Sequence, residues 1–392
     1  VIENERDEDL GDGRPPQSPP GKLVIVDINK FNPQKWKTRE VDLTGLKALF
    51  PGDPEPEYVD INDDNIAVVT LQENNHIVLV DLKHGEIIND FPAGAVDLAN
   101  IDATEEEPAI IDQTESLPAV PREPDGVAWI NDEYFVTADE GDLDGGSRGF
   151  TIFDKQGDVV YNSGADLDYL AARLGHYPDD RSGNKGNEPE NVEIGKFGKD
   201  RYMFVNSERS SLVFVYNVKK PNKPKLIQIL PAGAGPEGGL AIPRRNLLVV
   251  ASEEDNRGDK IRSVVNIYQR QNKPASYPTI RSADRDKVNG IPIPWGAMSG
   301  LSADTVNPNT LYAVEDSFYG SNRIFTIRVN RKPAVLTREL TIKDSDGVFA
   351  GTGTSGDPGD PNKFDSADLE AMINDDGTVN LDPEGIARST DG

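Results

Sequence analysis

Cysteine is absent from this sequence of 392 residues, and histidine, methionine and tryptophan occur three times each. Without cysteine the chain can form no disulfide bond, no thiol nucleophile and no thiolate metal site. The histidines His76, His84 and His176 are scattered in sequence, which disfavours a histidine-based catalytic triad. No apolar run reaches the roughly 18 residues that a membrane-spanning helix needs, so we predict no membrane span.

Positive charge is also scarce. The chain has 41 Lys and Arg residues against 68 Asp and Glu residues, which gives a formal net charge of -27. Such an excess of negative charge disfavours binding to nucleic-acid backbones and to anionic membranes. We therefore expect no nucleic-acid partner. The same charge is compatible with a secreted protein that meets cations or high salt.

A short pattern recurs along the chain. In its clearest copy a Pro–acid pair, Pro124-Asp125, opens an apolar run, and a second apolar run after a turn ends at Glu140. We call the first acid of a copy the opening acid and the last one the closing acid. Further copies open at Pro56-Glu57, Pro189-Glu190, Pro236-Glu237 and Pro383-Glu384, and a variant without the acid opens at Met298-Ser299.

Each copy predicts an antiparallel pair of strands, because two runs rich in Val, Ile, Tyr and Phe flank a turn of Asn, Asp or Gly. A hairpin returns to the end of the sheet where it started, so the opening and closing acids should lie close together. In the four complete copies these acids are 16, 15, 18 and 16 residues apart (57 to 73, 125 to 140, 190 to 208, 237 to 253). A third apolar run after each closing acid predicts a third strand.

Sheets of three or four strands repeated along one chain are typical of β-propellers. We therefore predict an all-β fold over residues 22–392, a propeller of about six to seven blades whose last blade or blades are incomplete. Residues 1–21, which are acidic and then Pro-rich, should form an extended N-terminal arm. Because an open blade exposes strand edges, we expect an additional chain or segment to complete the propeller.

Three segments depart from the repeat. Residues 165–174 predict a helix, since leucines and alanines recur on one face before Gly175. Residues 93–121, which include Glu105, Glu106 and Glu107, predict a long insertion of poor periodicity. Residues 382–387 should begin one more copy and therefore one more first strand.

In a propeller the innermost strands line the central channel, so the opening acids should converge at one mouth. Like charges that lie close together repel unless a cation lies among them, and oxygen ligands without Cys or His suit Ca²⁺ better than Zn²⁺. We predict a Ca²⁺ site there; the alternative is that these acids are solvated strand ends. The predicted metal ligands are Glu57, Glu73, Asp125, Glu140, Glu190, Glu208, Glu237, Glu253, Glu315, Glu370 and Glu384.

Five arginines fall in the predicted loops between second and third strands, namely Arg148, Arg209, Arg257, Arg262 and Arg323. They could bind a phosphate group through bidentate hydrogen bonds, or they could neutralise neighbouring carboxylates. An enzyme using both kinds of residue would hold a phosphate between bound cations and arginines. For that case the predicted catalytic residues are Glu190, Glu237, Arg209 and Arg323.

Several motifs resemble known families. Arg122-Glu-Pro-Asp-Gly-Val, Val136-Thr-Ala-Asp-Glu-Gly-Asp142 and the run from Arg181 to Glu190 resemble bacterial cell-surface propellers called choice-of-anchor I proteins, which are also described as surface-layer or alkaline-phosphatase-like proteins. Residues 295–392, with Leu311-Tyr-Ala-Val-Glu-Asp316 and Asp368-Leu-Glu370, resemble the start of the "esterase-like activity of phytase" domain. The Asp-rich opening motif of the well-characterised β-propeller phytases is absent.

This resemblance implies a propeller that is extracellular, on the cell surface or periplasmic, that depends on Ca²⁺ and that hydrolyses phosphate esters. By motif position it places the family's acidic residues on Asp125, Glu140, Glu190, Glu208, Glu315, Glu370 and Glu384. A phosphorylated small molecule would then be the substrate.

Two functions thus compete. The first is a secreted Ca²⁺-dependent phosphoesterase of the phytase-like or alkaline-phosphatase-like kind, a phosphoric monoester hydrolase. The alternative is a non-enzymatic cell-surface or extracellular scaffold or binding protein that Ca²⁺ merely stabilises. A third class, a lactone or sugar-acid hydrolase propeller with one central metal, would need His or Asn ligands that the sequence does not place at the channel.

Overall fold

A computed structural model describes residues 1–2, 14–355 and 362–389 of the chain. The predicted N-terminal arm therefore lies partly outside the described residues and stays a prediction. The chain divides into two compact units. Unit 1 comprises residues 1–101, 114–168 and 184–275, and unit 2 comprises residues 102–113, 169–183 and 276–392.

The described part of unit 1 consists mainly of antiparallel strands. In chain order these strands are β1 (Leu23–Asp27), β2 (Lys37–Val41), β3 (Pro56–Ile61), β4 (Ile66–Leu71), β5 (His76–Asp81), β6 (Glu86–Pro92), β7 (Ala95–Ile101), β8 (Glu115–Pro121), β9 (Val127–Trp129), β10 (Tyr134–Asp139), β11 (Gly149–Asp154), β12 (Val159–Asn162), β13 (Pro189–Phe197), β14 (Asp200–Ser207), β15 (Leu212–Asn217), β16 (Lys225–Pro231), β17 (Pro236–Ile242), β18 (Leu247–Ser252) and β19 (Val264–Gln269). Helix α1 (Asp166–Leu174) follows β12, as the sequence predicts.

Consecutive strands pair into separate sheets. Strands β3–β6, β9–β12 and β13–β16 form four-stranded sheets in sequence order, β17–β19 form a three-stranded sheet, and β1–β2 and β7–β8 form two-stranded sheets. Each predicted copy of the repeat in unit 1 thus supplies one sheet. The all-β prediction and the antiparallel hairpins are confirmed, whereas the closure of a ring and the number of blades stay predictions.

Strand β5 is apolar on both faces because its sheet packs against other strands on each side. On β5, Ile77 and Leu79 join a buried cluster with Trp129 and Phe135 of the β9–β12 sheet. The alternate residues of β5 join a different cluster with Leu23 and other residues around β1 and β2. Side chains alternate across a strand, so an uninterrupted apolar run is what two buried faces require.

The first strands of successive sheets lie side by side in unit 1. The backbone N–H of Trp129 on β9 donates to Asp60 on β3 at 2.7 Å, and Ala241 on β17 donates to Glu193 on β13 at 2.8 Å. Strand β9 also contacts β13 directly. The residues that precede or open these strands are therefore brought together, and these residues are the opening acids.

Unit 2 has its own sheet and core. Its strands are β20 (Ile280–Ser282), β21 (Asp284–Asp286), β22 (Ile291–Pro292), β23 (Met298–Ala303), β24 (Thr310–Glu315), β25 (Arg323–Arg328) and β26 (Ala334–Thr341), followed by helix α2 (Ser366–Met372). Strands β23–β26 form an antiparallel sheet, and β20 extends it in parallel beside β26. Ile293, Phe325, Ile327 and Leu336 form the buried core of this sheet.

Residues 93–121 form an insertion in which β7 and β8 pair with each other. Register shifts within the pair hide its alternation from a periodicity analysis. The prediction of a first strand at residues 382–387 is wrong, because this segment forms no strand. Instead Ser299 on β23 donates a hydrogen bond to the carbonyl of Pro383. Within the described ranges of the chain, no helix is long and apolar enough to cross a membrane.

Candidate functional site

A β-bulge recurs at the opening acids. The register of the first hairpin shifts between Pro56 and Val59, between Pro189 and Asn191, and between Pro236 and Gly239. The opening acids Glu57, Glu190 and Glu237 each lie within such a shift. A bulge turns a side chain away from the regular alternation of the strand. Three of the Pro–acid pairs thus coincide with a break in the regular alternation of the first strand.

Strand contacts hold neighbouring opening acids together. The backbone N–H of Gly126, directly after Asp125, donates to the carbonyl of Glu190 at 3.1 Å. The hydroxyl of Thr70 donates to the carbonyl of Asp125 at 2.8 Å. A Cβ atom at residue 126 would lie 2.7 Å from the Cα of Asn191 and 2.8 Å from the carbonyl oxygen of Glu190. Glycine is therefore required at position 126, where the chain passes close to the backbone of Glu190 and Asn191.

The closing acid Glu140 lies beside these opening acids and is 9% exposed. One of its carboxylate oxygens accepts a hydrogen bond from Gln72 at 2.6 Å, and the other accepts one from Lys185 at 2.7 Å. Lys185 also donates to the carbonyl of Gly141 at 2.7 Å. Glu140 is thus oriented by one partner from the loop between β4 and β5 and by another from the segment before β13.

Five carboxylates form two overlapping groups that share Glu140. One group contains Asp125, Glu140 and Glu190, and the other contains Glu140, Glu188 and Glu208. In each group one oxygen per residue lies within 4.8 Å of the others, a distance suited to a common cation. The Oε2 atom of Glu190 is buried and has no hydrogen-bond partner among the described residues.

Burial and mutual repulsion raise the pKa values of these acids. Burial first, and then Glu140, Glu57 and Glu237, raise the pKa of Asp125 well above its ordinary value. Burial together with Glu140 and Asp125 raises the pKa of Glu190 to about 10. The pKa values of Glu208 and Glu237 rise to about 7, again chiefly through burial. At neutral pH the cluster therefore binds protons or requires a cation.

Basic side chains offset part of this charge. Lys185 lowers the pKa of Glu140 against the larger effect of burial. Arg209 donates from Nε to Glu188 at 2.8 Å, and its Nη1 lies 3.1 Å from Glu208. The Arg209 side chain remains 41% exposed. It therefore presents a guanidinium group to solvent at the edge of the carboxylates.

The remaining predicted ligands in unit 1 lie at different positions. Glu57 is partly buried within its bulge and acts on Asp125, as described above. Glu253 is exposed and shares a hydrogen bond with Glu237, which raises the Glu237 pKa further. Glu73 follows β4 and is 4% exposed. Their roles as ligands stay predictions.

The predicted site residues of unit 2 have other surroundings. Glu315 is buried at the end of β24, and Arg323 donates to it twice, at 2.6 and 2.9 Å. Arg323 also donates to Glu339 at 3.0 Å and is the first residue of β25, not a loop residue as expected. Glu370 on α2 and Glu384 are exposed. Their predicted roles, including the catalytic one of Arg323, stay predictions.

Four of the five predicted loop arginines pair with carboxylates. Arg148 is fully buried and lies 3.4 Å from Asp168, and Arg262 donates to Asp255 at 2.6 Å. Together with Arg209 and Arg323 this pattern favours neutralisation of neighbouring acids over phosphate binding for most of the set. Arg209 is the member that combines exposure with a place beside the carboxylate cluster.

Sequence analysis missed three residues of the cluster. Glu188 is 0% exposed and directly precedes Pro189, so it lies one residue outside the Pro–acid pattern. A search for paired acids flanking proline would have found it. Lys185 and Gln72 carry no such signal, because only the packing of the sheets brings them to Glu140.

Comparison with known proteins gives two family matches. The model of the Choice-of-anchor I domain matches residues 22–145 and 143–221, and the model "Esterase-like activity of phytase" matches residues 293–392. No curated protein matches the chain significantly.

Similar solved structures are distant. A putative 6-phosphogluconolactonase from Bacteroides uniformis is 11% identical, with 82% of this chain and 81% of that chain covered and a TM-score of 0.37. Virginiamycin B lyase from Staphylococcus aureus is 13% identical over 81% and 76%, with a TM-score of 0.36. The WD40 repeats of RRP9 are 13% identical over 86% and 69%, with a TM-score of 0.34. The Choice-of-anchor I match spans 200 of the 392 residues (22–221), and the chain therefore belongs to the Choice-of-anchor I domain family.

Proposed function

We propose that the chain is a secreted or cell-surface protein whose acidic cluster binds Ca²⁺ and hydrolyses phosphate monoesters. The observation that carries the proposal is the convergence of Asp125, Glu140 and Glu190 within one cation-sized group. The family description supports a surface location, and the match of residues 293–392 to the phytase-like model supports ester hydrolysis.

The donor atoms fit Ca²⁺. Each residue of the two groups offers a carboxylate oxygen, and Ca²⁺ takes six to eight oxygen ligands. The buried Oε2 of Glu190 lacks a hydrogen-bond partner among the described residues, which is costly for a charged atom unless a cation contacts it. Asp125, Glu140 and Glu190 would hold one ion, and Glu188 and Glu208 offer ligands for a second. A bound Ca²⁺ would supply charge neutralisation for a phosphate group and activation of a water molecule.

The chain's own residues can bind and orient the substrate. Arg209 is partly exposed, and Glu188 holds its side chain in place. Its guanidinium group can therefore donate hydrogen bonds to a phosphate oxygen. Glu237 lies at the rim with a pKa of about 7, close to the value that general acid–base catalysis favours at neutral pH. Glu208 has a similar pKa but is turned toward Arg209. Glu237 is therefore the preferred proton acceptor.

A scaffold function is the second candidate, and one observation favours it. Lys185 and Arg209 already pair with Glu140, Glu188 and Glu208, which leaves less positive charge for a substrate phosphate. In that case Ca²⁺ would only stabilise the folded state by binding to it. Both candidate functions need the cation site, but only the first includes hydrolysis of a phosphate ester.

Hydrolysis of p-nitrophenyl phosphate and of phytate, measured with Ca²⁺ and with a chelator, tests the proposal. We expect turnover with Ca²⁺ and its loss on chelation. Glu237→Gln should lower the rate about a hundredfold, in line with the removal of a general base, and Arg209→Ala should lower it about a hundredfold as well. Glu86→Gln, which changes an exposed acid on β6, is the matched control and should retain activity.

Calorimetric titration with Ca²⁺ separates the two candidates. Ca²⁺ binding without phosphate release over a range of pH would contradict the phosphoesterase and favour the scaffold function. An absence of Ca²⁺ binding to the native protein would contradict both candidates, and so would undiminished binding to Glu190→Gln.

A further inference from the structure

A cavity of about 190 Å³ lies at the turn of the β13–β14 hairpin in unit 1. Its lining residues include four basic side chains and no acidic one; they are Asn131, Lys196, Lys199, Arg201, Val218 and Lys219. Acids outnumber basic residues by 68 to 41 in the whole chain, so this local excess of positive charge runs against the composition. Such a concentration of one sign of charge in a concave surface attracts ions of the opposite sign.

The pairing of the strands places the basic side chains together. Lys196 and Arg201 lie directly opposite each other in the antiparallel pair of β13 and β14, and Lys199 lies in the turn between these strands. The backbone N–H of Val218 donates to the carbonyl of Arg201 at 3.0 Å, which brings Lys219 to the same end of the sheet. Like charges directly opposite each other destabilise a sheet, and a bound anion would offset this cost.

The polar side chains of the cavity offer hydrogen-bond donors. Lysine and arginine side chains have no acceptor atom. The amide oxygen of Asn131 accepts from the backbone N–H groups of Glu133 and Tyr134 at 2.8 and 3.1 Å, so its amide N–H groups are the part that can bind a ligand. Nη1 of Arg201 donates to the carbonyl of Ile130, which anchors a guanidinium group that has several further donors. This set suits a ligand that only accepts hydrogen bonds, such as an oxyanion.

Acids next to the cavity in sequence contact other groups. Asp200, in the same hairpin, lies 3.3 Å from Arg270. The carboxylates of Asp132 and Glu133 contact a backbone N–H group at 3.2 Å and a lysine at 3.2 Å, respectively. In the described part of the chain, the four basic residues of the cavity form no ion pair with a carboxylate. Their charge is therefore available to a ligand.

The acidic cluster lies at the other end of the same hairpin. Pro189 and Ser207 pair at that end, next to Glu188 and Glu208. At about 3.3 Å per residue, the nine residues of β13 place the two ends roughly 25 Å apart. This distance exceeds the Debye length of about 10 Å at about 0.1 M salt, so the negative charge of the cluster is largely screened at the cavity.

We propose that this cavity binds an oxyanion of the phosphate class, either inorganic phosphate or the phosphate group of a small metabolite. Its volume of about 190 Å³ is below the roughly 300–1,000 Å³ of pockets that enclose drug-sized ligands, so it receives one anionic group and leaves the rest of a larger ligand outside. The lysines supply charge, and Arg201 supplies a planar pair of donors for two phosphate oxygens. The site needs neither Ca²⁺ nor hydrolysis at the cluster around Glu190.

Calorimetric titration of the full chain with sodium phosphate, in chelator and at low ionic strength, tests the site. We expect binding that Lys196→Gln and Lys199→Gln each weaken about tenfold, because each variant loses one charge-assisted contact to the anion. Lys37→Gln, which changes an exposed lysine on β2, is the matched control and should bind phosphate as the native protein does. Arg209→Ala should also keep this binding, which separates the cavity from the phosphate contact proposed at the cluster.

Glycerol phosphate, titrated under the same conditions, distinguishes the two sources of the anion. Tighter binding than that of inorganic phosphate assigns the cavity to a phosphorylated metabolite, and equal or weaker binding assigns it to free phosphate. Lys196 and Lys199 are exposed, so the variants should fold normally and keep the hydrolytic activity of the native protein. The proposal is overturned if the native protein binds phosphate no more tightly than chloride, or if the double variant Lys196→Gln/Lys199→Gln binds it with undiminished affinity.

Discussion

Glu190 has a strongly perturbed environment within the unit 1 cluster. Burial, Glu140 and Asp125 raise its pKa to about 10, whereas a glutamate in an unfolded chain has a pKa of about 4.3. Between these values the folded protein without metal holds one proton more than the unfolded chain does. Its stability must therefore fall as pH rises, by about 1.4 kcal/mol per pH unit for one such group.

This linkage predicts the behaviour of Glu190→Gln. In chelator, the melting temperature of the native protein should fall between about pH 5 and about pH 9, and the variant should show a shallower decline because glutamine does not titrate. Calorimetric melting across this range measures the slope. Glu86→Gln should keep the native slope, and equal slopes in Glu190→Gln and the native protein would contradict the assignment.

At the scale of the element, a β-bulge recurs at the opening acid of three first strands, and one of these acids, Glu190, belongs to the cluster. Gly126, directly before β9, lies close to the backbone of β13, with room for a hydrogen atom but not for a methyl group. The Pro–acid pairs could be recognised in the sequence, since both proline and the short apolar run are local signals. The bulge itself could not, because it is a property of the pairing with the next strand.

Gly126→Ala should therefore destabilise the protein by about 1–3 kcal/mol, since the added methyl group forces backbone atoms apart. It should also weaken Ca²⁺ binding, because Asp125 and Glu190 are positioned by this contact. Denaturant unfolding and calorimetric titration measure the two effects. Gly52→Ala is a suitable control, because a Cβ atom there meets nothing within 4 Å. Equal losses in both variants would count against the close-contact argument.

For the whole molecule, the net charge of -27 works against a compact state. Screening by salt relieves part of this repulsion for exposed groups, but buried carboxylates are screened much less. A divalent cation bound at the proposed site of Asp125, Glu140 and Glu190 would act where salt does not. Ca²⁺ should thus stabilise the folded chain more than NaCl of equal ionic strength does.

We expect Ca²⁺ at about a hundred times its dissociation constant to stabilise the fold by about 2.7 kcal/mol per site. Thermal unfolding in Ca²⁺ should be compared with NaCl of equal ionic strength. The stabilisation by Ca²⁺ should shrink in Glu190→Gln, which removes one ligand of the proposed site. An equal increase with NaCl would show that screening alone is responsible.

The sequence by itself determined the strands, the turns and the recurrence of acids at strand ends. Alternating apolar residues, prolines and glycines act over a few neighbouring positions, so strands such as Gly149–Asp154 and helix α1 could be predicted nearly to the residue. It also determined that no metal ligand is a thiolate, because cysteine is absent.

The tertiary structure alone decided which side chains meet. Lys185 and Gln72 reach Glu140 only because separate chain segments pack together. Such contacts depend on the distance between sheets and loops, which no local periodicity encodes. The burial that raises the pKa values of Glu190 and Asp125 has the same origin, since it is a property of the packed chain and not of any short segment.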